Sequence, residues 1–207
     1  MPKNILMVSD GRIHPPLMGR FWLRYALAGM KDYTFTRVSS MEEILKFDLK
    51  SFHGMVLYFH HDEISKDALN AFEAFVAAGG GVLAIHSVTA SFKDNDHFTT
   101  IIGGKFSGHG PVEAFAMMPV KPKNEIFGGI PEFQVTDELY LHDLQPDIKA
   151  HFNALHEGQL VPMVWTRPYS EGRVCYACPG HRAASMRISA YQRVLTRGLE
   201  WAVANHS

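Results

Sequence analysis

The 207-residue sequence predicts an α/β domain whose first half is a doubly wound parallel sheet with helices on both faces. Three observations carry this. Short apolar runs alternate with amphipathic stretches up to about residue 90. The runs are continuous rather than alternating, as in strands covered on both faces. No linker, internal repeat or low-complexity segment breaks the chain, so residues 1–207 read as one domain.

Asn4–Val8 (NILMV) ends in Ser-Asp-Gly and reads as a first strand. From Pro16 to Met30, the residues Leu17, Phe21, Leu23, Leu27 and Met30 recur at roughly helical spacing behind Pro15-Pro16. Tyr33–Val38 alternates and is aromatic and β-branched, which predicts a second strand, and Met41–Phe47 a short helix. Gly54–Phe59 is a buried strand. Ser65 then caps a helix whose Leu69, Phe72, Phe75 and Val76 share a face. Gly79-Gly80-Gly81 supplies a left-handed stop and turns the chain into Val82–Ile85.

Beyond residue 90, Pro111–Val120, Phe133–Tyr140, Lys149–Leu155, Leu160–Thr166 and Arg173–Ala177 read as strands between Pro/Gly turns, several of them antiparallel, without clear helices between them. A final helix spans about Ser189 to Asn205.

Hydrophobic residues make up 46% and charged residues 20% of the chain, which excludes a disordered or fibrous protein. A formal charge of −1 without basic runs argues against nucleic acid as a partner. The N-terminal apolar run is too short for a signal peptide or a membrane span, so a cytoplasmic protein is expected. Cys175 and Cys178 lie three apart on a strand and point to opposite faces, against a disulfide framework.

In an open α/β sheet, ligands bind beyond the carboxyl ends of the parallel strands. Those ends carry His14 after the first strand, His60 and His61 after the third, and His86-Ser87 after the fourth. With 12 histidines in the chain, this accumulation points to a cleft for proton transfer, although polar residues also cap strands for structural reasons alone. Ser87 is flanked by His86 and Val88 rather than by the small residues of a G-x-S-x-G nucleophile elbow.

His109 lies in the glycine-rich IIGGKFSGHG. In TDELYLHD, period-two spacing puts Glu138, Tyr140 and His142 on one strand face, suited to acid/base work or metal ligation, or else simply an exposed polar face. CYACPGH lacks the fourth ligand of a zinc–thiolate site and reads as a turn delivering His181. Trp165 suits a core or rim position, or a platform under a sugar ring. No nucleotide-cofactor motif is evident.

GGGVLAIHS, IIGGKFSGH, TDELY, VPMVW, EGRVCYACPGH and RGLEWAV, in that order from about residue 54 to 204, with a weaker GRIHPP near the N-terminus, resemble the ThuA-like (trehalose utilisation) family. The resemblance implies a fold like the class I glutamine amidotransferases, a flavodoxin-like three-layer sandwich with a mainly parallel central sheet and extra strands in the C-terminal half. It implies a role in the metabolism of disaccharides and keto-sugars, and a divalent metal such as zinc in the histidine-rich cleft. In true amidotransferases the fourth strand leads to a nucleophilic cysteine; here His86-Ser87 stands at that place, against glutaminase activity. At Cys175 and Cys178 the family more usually has apolar or small residues.

The resulting expectation is a carbohydrate-processing enzyme acting on a keto-sugar or 3-keto-glycoside, by acid/base and metal-assisted isomerisation or glycosidic-bond cleavage. His86, Glu138, His109 and His181 are the expected catalytic residues, with Trp165, Tyr140 and Ser87 against the substrate. His14 and His60 are the expected metal ligands. The expected partner is a small carbohydrate, with no nucleic acid and no membrane, and a homo-oligomer is compatible with the sequence. The alternatives are a non-catalytic sugar-binding or regulatory protein on the same fold, and a hydrolase using Ser87.

Overall fold

A computed structural model describes residues 2–11 and 15–204. Nine strands join in one mixed sheet of order β2-β1-β3-β4-β9-β8-β7-β5-β6. The strands are β1 (Lys3–Val8), β2 (Tyr33–Val38), β3 (Gly54–Leu57), β4 (Gly81–Ile85), β5 (Gly104–Pro119), β6 (Phe133–Leu144), β7 (Lys149–His156), β8 (Gln159–Tyr169) and β9 (Gly172–Ala177). The helices are α1 (Leu17–Ala28), α2 (Lys66–Ala77), α3 (Asp96–Ile102), α4 (Ala183–Met186) and α5 (Ser189–Ala202).

The half β2-β1-β3-β4-β9 is parallel throughout. From β9 outward, every pairing through β8, β7, β5 and β6 is antiparallel. A mainly parallel sheet is therefore a correct description of the first half alone. The antiparallel extension follows from tight turns. β7 and β8 are joined by Glu157-Gly158, both at positive φ (48° and 79°), the backbone that matches the twist of a two-residue hairpin. Ser170, at φ 51°, performs a similar turn between β8 and β9.

The layers follow from side-chain parity along β9. Arg173 and Cys175 face α5, through the Arg173 contact with the Trp201 carbonyl and the close approach of Cys175 to Gly198. Gly172, on the other face, meets the backbone of Val76 in α2. Ser65 caps α2 through Ala68 N at 3.2 Å, and Leu69, Phe72, Phe75 and Val76 are buried as predicted. Gly79 takes the left-handed φ of 110° that ends this helix.

In α1, Leu23 and Leu27 are buried, but Leu17 (56% exposed) and Phe21 (44%) face outward, so the core stripe is narrower than the spacing suggests. Two helices appear where none was expected, α3 and the one-turn α4. The strand expected from Pro111 begins at Gly104, and the one expected to stop at Tyr140 runs to Leu144. Among the described residues, no helix is long and apolar enough to cross a membrane.

Candidate active site

The carboxyl ends of β4 and β9 lie side by side, because the two strands pair in parallel from Gly81↔Arg173 to Ile85↔Ala177. Beyond β4 the chain turns sharply into a helical turn, His86–Ala90. Beyond β9 it forms the loop Cys178–Arg182. The β5–β6 ribbon packs back over these ends, setting Tyr140 against His86 (ring centroids 4.1 Å) and His142 against Trp165 and Tyr176.

His86 is fully buried and held at φ 50°, a left-handed conformation that costs a non-glycine residue about 1–3 kcal/mol. Its carbonyl is anchored by Tyr176 Oη (3.0 Å) and Thr89 Oγ1 (3.2 Å). Its Nδ1 lies 2.8 Å from the carbonyl oxygen of Cys178, which only accepts, so Nδ1 carries the proton. Its Nε2, buried and without a hydrogen-bond partner, faces Oε2 of Glu138 at 3.5 Å.

Glu138 is the centre of the cluster. Its Oε2 is 3.4 Å from Nδ1 of His181, and its Oε1 is 4.0 Å from Nδ1 of His109. Burial by itself would raise the Glu138 pKa, but the contact with His86 and the positive potential of His181, His86 and His109 outweigh it and hold the carboxyl at about 2. Glu138 is thus ionised at any working pH.

The loop carrying His181 is held by buried side chains. Both carboxylate oxygens of Asp137, itself fully buried, accept backbone N–H groups: Gly180 (3.2 Å), His181 (3.0 Å), Arg182 (3.2 Å) and the adjacent Glu138 (2.9 Å). Tyr58 Oη donates to the Gly180 carbonyl at 2.5 Å, and Tyr191 Oη donates to that of Pro179. Gly180 is required by proximity, since a Cβ there would lie 2.5 Å from Cβ of His86.

His109 reaches the cluster from β5, where the pairing with β6 shifts register on either side of it, between Phe106 and Gly108 and between His109 and Val112. Such bulges re-aim side chains near active sites. Its Nδ1 also lies 2.7 Å from the Gly110 carbonyl. Tyr140 stays a neutral phenol, its pKa raised by burial and then by the Glu138 charge.

The expected catalytic residues His86, Glu138, His109 and His181 thus come together, with Tyr140 beside them. Other expected site residues are placed differently. Trp165 is fully buried, stacked on Tyr176 at 4.0 Å with its indole N–H on the Ile102 carbonyl, so it offers no face to a sugar. Ser87 is also fully buried and donates to the Phe59 carbonyl at 2.8 Å, which removes both a substrate contact and a nucleophile. His142 hydrogen-bonds Thr89 Oγ1 at 3.0 Å; burial, followed by the neighbouring His86, lowers its pKa to about 3, so it is a neutral structural ring. His60 is partly buried, with a pKa lowered chiefly by burial. It is not part of the convergent group of ligand atoms, which among the described residues consists of His86, Glu138 and His181, within 4.8 Å of one another. His14 lies outside the described residues.

Cys175 and Cys178 are buried free thiols whose pKa values burial pushes up, to about 12 for Cys175, so neither is a ready nucleophile. Asp137, Tyr58 and Tyr191 are the site residues that sequence reasoning leaves without a role. Asp137 stands next to Glu138 in TDELY, but its other three partners lie more than forty residues further along the chain. A cleft of about 800 Å³ lies elsewhere, between Lys121, Lys149, His151, Arg167 and Trp201.

This fold and site define an α/β protein with a histidine–carboxylate cluster at its strand ends. The profile of the trehalose utilisation (ThuA) family matches residues 6–202, and the chain belongs to that family. Among solved structures, a ThuA-like protein from Parabacteroides merdae is 18% identical, with a TM-score of 0.86 over 98% of this chain and 90% of its own. One from Bacteroides uniformis is 14% identical, with a TM-score of 0.78 over 99% and 92%. An α-L-fucosidase from Paenibacillus thiaminolyticus is similar over 100% of this chain but only 33% of its own, at 15% identity and a TM-score of 0.64. At these identities the likeness is one of fold. No curated protein matches the chain.

Proposed function

We propose that this protein is a cytoplasmic carbohydrate-processing enzyme acting on a keto-sugar or 3-keto-glycoside by acid/base chemistry. The observation that carries the reading is the convergence of three imidazoles, His86, His109 and His181, on the single ionised carboxylate of Glu138. Family membership supports a carbohydrate-related role.

A ketone acidifies the C–H bond beside it. His109, with its side chain 43% exposed, is the ring positioned to accept that proton as the bond's electron pair moves to the carbonyl oxygen. Glu138, at about 2, is too weak a base for this step; its negative charge instead favours the imidazolium that forms. Tyr140, kept protonated, is a donor for developing negative charge. Where the carbon that lost its proton bears a hydroxyl, transfer of the hydroxyl proton to the former carbonyl oxygen and reprotonation at the former carbonyl carbon gives isomerisation. Return of the electron pair with loss of a glycosidic oxygen, which takes up a proton, gives cleavage by elimination.

The strand order β2-β1-β3-β4-β9 supports a flavodoxin-like, amidotransferase-like reading of the parallel half. The left-handed turn at His86 fits the elbow of that fold with its cysteine replaced. A non-catalytic sugar-binding protein is the second reading, favoured by a cleft of about 800 Å³ whose lining does not include His86, Glu138, His109 or His181. The test is incubation of the purified chain with 3-keto-disaccharides, following consumption and released sugar. Turnover abolished by Glu138→Gln and His109→Ala supports the enzyme, whereas binding without turnover supports the second reading.

A further inference from the structure

We propose that the cleft between Lys121, Lys149, His151 and Trp201 is a binding site for a small phosphorylated sugar, distinct from the histidine–carboxylate cluster. The site is argued without the enzymatic reading and goes beyond it.

The cleft, about 800 Å³, is of the size that encloses a small organic ligand. It lies on the α5 face of the sheet. Thr166 in its floor pairs across β8 and β9 with Cys175, which faces α5, and Trp201 of α5 forms a wall. Trp165, next to Thr166 in β8, points to the opposite face, where it meets His142. None of His86, Glu138, His109 and His181 lines the cleft.

The floor carries a polar group that the fold leaves unused. The register of β7 against β8 shifts between Ala150 and Phe152, so His151 is the extra residue of a bulge, a device that re-aims a side chain. His151 is 3% exposed, and the one hydrogen bond of its ring among the described residues joins Nε2 to Thr166 Oγ1 at 2.7 Å. Nδ1 is left without a partner there. Burial, followed by the charge of Lys149, lowers the ring's pKa to about 4, so it is neutral at pH 7. An almost buried, neutral ring nitrogen lacking a partner is costly unless a ligand supplies one, and a sugar hydroxyl both donates and accepts.

The rim sets the charge of the ligand. Asp147 is neutralised by Arg167 at 2.9 Å, and Arg167 also donates to the Thr100 carbonyl, so this pair is committed to the fold. Lys121, Lys123 and Lys149 line the same cleft with exposed side chains and form no ion pair among the described residues; Glu125 is the one carboxylate set against them. About two positive charges thus remain unbalanced in a chain whose formal net charge is −1. A phosphomonoester carries about 1.5–2 negative charges at pH 7, and lysine ammonium groups bind phosphate as point charges. Trp201, its ring packed against the Arg173 guanidinium at 5.2 Å, offers a flat apolar wall for the C–H face of a sugar. Phosphate at the lysines, hydroxyls at His151 and Thr166, and a ring against Trp201 account together for the polar and apolar lining.

The experiment titrates the full chain by calorimetry with glucose 6-phosphate, glucose, inorganic phosphate and AMP in a phosphate-free buffer. Glucose 6-phosphate should bind at one site per chain, more weakly as salt rises. Glucose should bind on the order of 100-fold more weakly, and inorganic phosphate and AMP about 10-fold more weakly. Lys121→Ala and Lys149→Ala, both exposed positions, should each lower the affinity for glucose 6-phosphate about 10-fold with an unchanged Tm. Trp201→Leu should weaken glucose 6-phosphate but not inorganic phosphate. Lys31→Ala, on the surface before β2, and Glu138→Gln, in the cluster, should bind as the wild type does. No binding of glucose 6-phosphate, or wild-type affinity in both lysine variants, overturns the proposal. Loss of binding in Glu138→Gln also overturns it, by placing the ligand in the cluster. Inorganic phosphate or AMP bound as tightly as glucose 6-phosphate overturns the sugar-phosphate assignment.

Discussion

Nδ1 of His86 donates to the carbonyl oxygen of Cys178 across 2.8 Å, tying the end of β4 to the loop after β9. This bond fixes both the ring plane and the tautomer of a residue whose backbone is held left-handed at φ 50°. Strain and function therefore meet in one residue.

They separate under substitution. His86→Ala keeps the Cβ that makes the left-handed backbone costly, whereas His86→Gly does not. Both should abolish turnover of 3-keto-disaccharides, but the glycine variant should be the more stable by about 1 kcal/mol in urea unfolding. Equal stability, or full activity in either variant, contradicts the role given to His86.

Asp137 presents a different balance, because its carboxylate satisfies four backbone N–H groups, those of the cluster residues Glu138 and His181 among them. Asp137→Ala leaves those donors buried and unpaired, at a cost of roughly 3–5 kcal/mol. Asp137→Asn keeps one accepting oxygen and should lose about half as much. The urea midpoints of the two variants check the ordering. The asparagine variant, if folded, should lower kcat more than it raises KM, because a displaced His181 affects the reacting geometry.

His151 lies far from the cluster and makes stability depend on acid. Its ring is buried beside Phe127, its Nε2 is 2.7 Å from Thr166 Oγ1, and burial lowers its pKa from 6.5 to about 4. The unfolded chain therefore takes up the proton first. The stability from a neutral His151 is fully present above pH 6.5 and is lost as pH falls toward 4, by about 3 kcal/mol. Chemical denaturation of wild type and His151→Gln across this window should show a shallower pH slope for the variant; parallel slopes would refute it.

The sequence makes local order visible and hides convergence. The helix Lys66–Ala77 with its Ser65 cap, and β4 after Gly79, are set by neighbours in the chain and were readable there. The first half of β5, before Pro111, was not, because the glycines and proline of IIGGKFSGHGP carry loop signals in a strand interrupted by register shifts. The short α3 carried its signals, an Asn95 cap and a left-handed Gly103, but its seven residues are too few to show a helical period. Strand-end position singled out His86, and the turn after Cys178 singled out His181, but ring type alone did not distinguish His60, outside the group of convergent ligand atoms, from His181 inside it. Trp165 shows the same limit, since a large aromatic ring reads alike as a platform or as core, and only its stacking on Tyr176 decides.

Gly180 offers the sharpest test of how closely the site is packed. A Cβ at this position would stand 2.5 Å from Cβ and 3.1 Å from Cγ of His86, and 3.2 Å from the ring of Tyr58. None of these groups has room to retreat, because His86 and Tyr58 are fully buried and hydrogen-bonded into the same loop. Gly180→Ala must therefore move either the His86 ring or the loop that carries His181. Overpacking of this kind costs about 1–3 kcal/mol, which leaves a domain of ordinary stability folded. A displacement approaching 1 Å at a reacting group is enough to lower kcat on the order of 100-fold. The expected outcome is thus a folded protein with a modestly lower Tm and severely reduced turnover of a 3-keto-disaccharide. Wild-type turnover in Gly180→Ala would mean that the His86–His181 spacing does not matter to the chemistry.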